Sequence, residues 1–138
     1  MHGDLQVLGR AVKQAQYRQH RALESGLSAI GATLAQWDAL RAISRSPGAS
    51  ARALAAETFQ TEQAFGTLAG RLVAQGWVER RPGHGRRIEH HLTPSGEQVL
   101  KAGHKVADEV LAGCYRALSD ADRRTLLALL QGLIAEDA

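Results

Sequence analysis

Cysteine is almost missing from this sequence. Cys114 stands alone, which excludes an intrachain disulfide framework and fits a reducing, cytoplasmic setting. Long apolar runs are missing as well. The opening MHGDLQVLGRAVKQ has no apolar centre of the signal-peptide kind, and no run approaches the roughly 18 residues of a membrane span. The longest apolar block, Leu126 to Leu130, reads as one side of a helix. Repeats, linkers and low-complexity segments are absent. So are paired carboxylates, a nucleophile beside a base, and a glycine loop leading into a helix that would cradle phosphate, so no catalytic residue is expected and an enzyme is remote. The six histidines are scattered. His90 and His91 are adjacent on an expected strand and point to opposite faces, so no metal site and no cofactor are expected.

What is present fits one compact unit of 138 residues, large enough to bury a core without a staple. The net charge of +3 is small, but it is placed unevenly. Leu34 to Leu92 holds eight arginines (Arg41, Arg45, Arg52, Arg71, Arg80, Arg81, Arg86, Arg87) against five acids (Asp38, Glu57, Glu62, Glu79, Glu89), while the flanks hold nine of each sign and cancel. All of the excess positive charge therefore lies in the middle. That placement suits a polyanionic partner, and charge alone is equally compatible with a solvated face.

The spacing of apolar residues predicts a first helix over residues 4–28, with Leu5, Leu8, Val12 and Ala15 on a stripe that Ala22, Leu23 and Leu27 resume. A helix this long and this early needs a partner to cover that stripe. A second helix follows from Leu34 to Ser44, with Leu34, Trp37, Leu40 and Ile43 on one face. Ser46-Pro47-Gly48 breaks it, and Ser50 caps a short helix from Ala51 to Glu57. Thr61 caps a fourth helix whose inner face is Phe65, Leu68, Leu72 and Val73. Its outer face carries Glu62, Gln63, Gly66, Thr67 and Gly70. Gly76 ends it as a residue free to take the left-handed conformation, and Trp77 packs back on the last turn. The short helix, turn and longer helix have the form of a helix-turn-helix. Val78–Arg81 and Arg87–Leu92 read as two strands joined at Pro82-Gly83-His84-Gly85, a wing. Thr93 and Pro94 then open a fifth helix to about Ala117, with Val99, Leu100, Val106, Val110, Leu111, Cys114 and Leu118 along its seam. Ser119 to Asp122 has the form of a capping box and opens a last helix with a broad face of Leu126, Leu127, Leu129, Leu130, Leu133 and Ile134.

Five segments in this order carry a family resemblance: LAQWDAL at Leu34–Leu40, Leu54-Ala55, Arg71-Leu72, GWVER at Gly76–Arg80, and LTPSG at Leu92–Gly96. The chain resembles the MarR family of bacterial transcription regulators over nearly its whole length. The resemblance implies a mainly helical fold with a small β wing: a winged helix-turn-helix with six helices, dimerising through its N- and C-terminal helices. It divides the chain into a helical dimerisation region, residues 1–33 and 93–138, and a DNA-binding region, residues 34–92. It further implies a homodimeric repressor of bacterial or archaeal cytoplasm, acting on double-stranded DNA and released by a small aromatic or phenolic ligand, or by an oxidant. Two departures are visible. The family wing usually carries an acid two residues before its minor-groove arginine, where this chain has His84, and it is about two residues longer. The outer face of the fourth helix usually has a basic residue where this chain has Thr67.

On this reading Thr61, Gln63 and Thr67 meet base edges, with Gln63 suited to adenine. Glu62 serves the helix N-terminus instead, Gly66 and Gly70 allow close approach to the groove, and Arg71 lies on the same helix. Arg86 at the wing tip enters the minor groove, Arg87 and Arg52 hold phosphates, and of Arg80 and Arg81, on opposite faces of a strand, one reaches DNA. Tyr17, His20, Arg21 and Trp37 are expected to frame a pocket for a flat aromatic acid. Cys114, on an apolar seam, reads as a buried structural thiol in preference to a redox sensor. The alternatives are a protein-interaction module of the same fold without DNA binding, and a redox-responsive regulator acting through Cys114.

Overall fold

A computed structural model describes residues 3–135. The elements run α1 (Gly3–Ser28), α2 (Leu34–Arg45), α3 (Ala51–Glu57), α4 (Glu62–Ala74), β1 (Val78–Pro82), β2 (Ile88–Leu92), α5 (Pro94–Cys114) and α6 (Asp120–Ala135). The strands form one antiparallel hairpin with Val78 opposite Leu92 and Pro82 opposite Ile88.

Helix starts are fixed by side chains that accept the first free backbone N–H groups. Ser50, Thr61, Thr93 and Ser119 accept from Ala53, Ala64, Gly96 and Asp122 at 3.0–3.3 Å. Thr33, in the link between α1 and α2, makes a full capping box. Its hydroxyl accepts from Gln36 N–H at 3.0 Å, and its own N–H donates to the Gln36 side chain at 2.9 Å. Gly76 takes the left-handed conformation at φ 79° and ends the α4 segment. The α5 helix ends at Cys114, short of the expected Ala117. Arg123 reaches back from α6 to donate to the Tyr115 carbonyl at 3.1 Å, which satisfies that acceptor outside the helix.

One hydrophobic cluster holds the chain together. Leu23 and Leu27 of α1, Trp37, Leu40 and Ile43 of α2, Leu54 of α3, Phe65 and Leu72 of α4, Val78 of β1 and Leu100 of α5 all belong to it. The core thus runs continuously across positions 33 and 92. The buried line of α5 is Gly96, Leu100, Gly103 and Ala107; of the residues expected on its seam, only Leu100 is fully buried. Among those, Val99, Val106, Val110 and Leu111 are only partly buried beside it. Small residues let α5 come close: a Cβ on Gly96 would collide with the Trp77 carbonyl oxygen, and one on Gly103 with the Trp37 indole. At the two ends of the chain, apolar surface is left bare. Leu5 is 81 % exposed and Ile134 76 %, and α6 buries none of its residues within the protomer.

Candidate nucleic-acid interface

Thr61, Gln63, Thr67 and Arg71 line one shallow groove on the outer side of α4, with Ala64 and Leu68 as its floor. All four are exposed. The helix is held from the other side by Phe65, Ala69 and Leu72, which are buried. Gly66 and Gly70 are half-buried on the flank of α4, and a Cβ at either would meet open space. Nothing in the protomer therefore requires glycine at these two positions.

The wing is clamped to α4 from two directions. Arg80 donates from Nη2 to the Gly66 carbonyl at 3.3 Å. His90, only 2 % exposed, meets the Phe65 ring edge-on with centroids 6.2 Å apart. Its Nδ1 lies 3.0 Å from the Ala49 carbonyl; a carbonyl only accepts, so Nδ1 carries a proton and donates it. The backbone adds Gly48 N–H to the His90 carbonyl at 3.0 Å and His90 N–H to Ala49 at 3.2 Å. Burial pushes the His90 pKa below its ordinary value, outweighing the opposite pull of the Ala49 hydrogen bond. His91, on the opposite face of β2, instead pairs with Glu89 at 2.9 Å.

At the hairpin tip, Gly83 N–H donates to Arg87 at 2.8 Å and Arg87 N–H to His84 at 3.1 Å, with Gly85 at φ 64°. This tight turn presents Arg86 and Arg87 to solvent, and neither forms an ion pair among the described residues. The acids of the wing are already engaged: Glu79 binds Arg81 at 3.1 Å, and Glu89 binds His91. Hydrogen bonds from those partners hold both carboxyl groups below their ordinary pKa. The expected division between Arg80 and Arg81 takes a definite form, because Arg80 is turned to α4 and Arg81 to Glu79. Arg52 is exposed in the first turn of α3.

A cavity of about 320 Å³ lies where α1, α2 and α5 meet. His20 and Trp37, both expected there, line it. Tyr17 and Arg21 do not; they border a separate shallow depression, with the Arg21 guanidinium 5.8 Å from the Tyr17 ring centre. The reason is helical phase: successive residues turn about 100° around the axis, so a wall that takes His20 turns its neighbour Arg21 away. The cation of the cavity is Arg41, stacked 4.4 Å from the ring centre of Trp37. His104 of α5 meets the same indole edge-on at 5.6 Å. Trp37 is 4 % exposed, and its Nε1 has no acceptor among the described residues. Asp38 lies 3.5 Å from Arg41; burial raises its pKa against the pull of that arginine. Arg41 stands one helical turn after Trp37, a spacing already legible in the sequence.

Cys114 is half-buried at the end of α5, not fully enclosed. Among the described residues no group of three or more His, Cys, Asp or Glu is placed to hold a metal ion, and no helix is long and apolar enough to cross a membrane.

This geometry recurs in known proteins. A MarR family model matches residues 30–88. The HTH-type transcriptional repressor Rv2887 of Mycobacterium tuberculosis is 30 % identical over 113 residues, covering 80 % of this chain and 81 % of that protein. The crystal structure of Rv2887 with salicylic acid superposes with a TM-score of 0.77 at 28 % identity, covering 91 % of this chain and 95 % of the other. Its complex with DNA gives 0.78 at 26 % identity, covering 91 % and 96 %. The wild-type apo MarR of E. coli gives 0.81 at 26 % identity, again covering 91 % and 96 %. With a winged helix-turn-helix that superposes on these structures and a curated relative at this level of identity and coverage, the chain belongs to the MarR family.

Proposed function

We propose that this protein is a homodimeric transcriptional repressor that binds a pseudo-palindromic double-stranded DNA operator and releases it when a small aromatic acid or phenol fills the cavity beside Trp37. The observation that carries the DNA reading is an exposed α4 groove on a helix that Arg80 ties to the wing, whose two tip arginines are exposed and unpaired among the described residues. Thr61, Gln63 and Thr67 offer hydrogen-bonding groups at the N-terminal half of the helix, where such helices meet base edges. Arg71 and Arg52 supply positive charge for phosphates, Arg80 braces the helix against the wing, and Arg86 and Arg87 reach outward from the tip. Open space at Gly66 and Gly70 suits an approaching nucleic-acid backbone. The DNA complex of Rv2887 supports the same reading.

The dimer follows from solvent. Residues 1–33 and 93–138 form the assembly region, because the exposed Leu5, Leu8, Leu129, Leu133 and Ile134 are too many large apolar side chains to leave in water. The ligand class follows from the cavity, where an indole, a stacked guanidinium and two histidines accept a flat anion: Arg41 for its carboxylate, Trp37 for its ring. The salicylic acid complex of Rv2887 is in keeping with that. Such a regulator works in the cytoplasm.

Duplexes should be selected from a random pool with the full-length protein, then challenged with salicylate-like acids. The expected result is a dimer binding one inverted repeat with a steep salt dependence and losing it on addition of ligand, with Trp37 fluorescence changing in parallel. Equal binding to all duplexes would overturn the operator reading, and ligand-indifferent fluorescence and release would overturn the effector reading.

A further inference from the structure

Phe59 lies in the turn between α3 and α4 and is 98 % exposed, more than any other large apolar side chain described. Its backbone is also at φ 59°, in the left-handed region where a side chain carries a steric cost. Every other described residue with positive φ is a glycine: Gly31, Gly48, Gly76 and Gly85. The turn itself is fixed without the ring. Gln60 N–H donates to Ala55 at 2.9 Å, Phe59 N–H to Ala56 at 3.3 Å, and the Thr58 hydroxyl to Leu54 at 2.7 Å. Folding thus gains nothing from the phenyl group and is charged twice for it, in strain and in exposed apolar surface. A residue kept against both costs is a functional candidate. Its position says for what. Thr61, the N-cap of α4, is two residues on, a separation of at most about 7 Å along the backbone, and the N-terminal turn of such a helix is the part that meets base edges.

We propose that Phe59 is a specificity-determining contact in the DNA interface, its ring packing against the C5-methyl group of a thymine at the edge of the major groove. The proposal rests on the DNA-binding reading above and goes beyond it, since it adds an apolar contact that neither hydrogen-bonding residues nor arginines supply.

The test uses the duplex selected by the full-length protein and a set of copies in which each thymine in turn is replaced by deoxyuridine, which lacks only the methyl group. Wild-type protein should lose about threefold or more in affinity at one deoxyuridine position per half-site. Phe59→Gly should unfold at a higher temperature, bind the parent duplex about tenfold more weakly, and be indifferent to that same deoxyuridine. Phe59→Leu should fall between the two. Uniform tolerance of deoxyuridine by the wild type overturns the proposal without any variant being made. So does a Phe59→Gly protein that binds with wild-type affinity and selectivity, an outcome that would assign the ring to a protein partner. Failure of the wild type to prefer any duplex overturns the operator reading itself and this inference with it, a result distinguishable from the other two.

Discussion

Arg86 and His90 occupy the same wing and show how differently two basic side chains are used. Arg86 is exposed at the tip with no partner among the described residues, so its charge is available to a ligand and contributes little to folding. Replacing it with alanine should leave the melting temperature unchanged, weaken binding to the selected duplex by roughly 1–3 kcal/mol and lower the salt slope by about one; an unaltered isotherm across salt would sink the wing assignment. His90 is the reverse, buried and held neutral by its surroundings. Its folded pKa lies below the ordinary 6.5, so the unfolded chain binds the extra proton more readily than the folded one. The stabilisation is therefore complete above about pH 6.5 and is lost as the pH falls from there toward the depressed folded value. The melting temperature of the wild type should drop over that window, and the drop should be smaller in His90→Asn. The wing should loosen first, since His90 joins it to both Ala49 and Phe65.

At the scale of elements, the close approach of α5 is the arrangement most sensitive to a single methyl group. Gly96→Ala places a Cβ against the Trp77 carbonyl, a backbone atom that cannot swing aside, and should destabilise the fold by roughly 1–3 kcal/mol. Gly66→Ala, in open space on α4, should stabilise it by about 0.5–1 kcal/mol while weakening operator binding; thermal melts and duplex titrations of the pair separate the two effects. These two glycines also mark what the sequence makes legible. The helices that carry large apolar residues at regular spacing, and the caps at Ser50, Thr61, Thr93 and Ser119, are visible as patterns of residue type. The buried line of α5 is not, because Gly96, Gly103 and Ala107 carry almost no hydropathy signal and matter through the volume they lack. The Thr33 capping box was hidden inside a small-residue stretch, although Gln36 three residues later is its ordinary partner. The groove of α4 could be read from one face of one helix. The cavity could not, since it needs the relative phase of α1, α2 and α5, and phase is what separates His20 from Tyr17 and Arg21 and brings in Arg41, His104 and Asp108.

For the whole molecule, the continuity of the core has a thermodynamic consequence. Trp37 lines the cavity, packs on Gly103 of α5, and belongs to the same cluster as Phe65 and Leu72 of α4. One continuous apolar cluster thus joins the wall that would sense a ligand to the helix that would touch DNA. If an aromatic acid lowers operator affinity by some factor, the operator must lower the affinity for the acid by that same factor. Titrating the acid into free dimer and into the dimer–duplex complex should give two dissociation constants whose ratio equals the ratio of duplex constants measured with and without acid. Equal constants for the acid in the two states would leave the cavity a binding site uncoupled from repression. With coupling, occupied operators become the poorest sensors in the cell, and unbound dimers take up the ligand first. Promoters would then be freed chiefly by depletion of the unliganded pool, so the concentration of acid needed for induction would rise with the number of dimers in excess of operators and fall as operator copies are added.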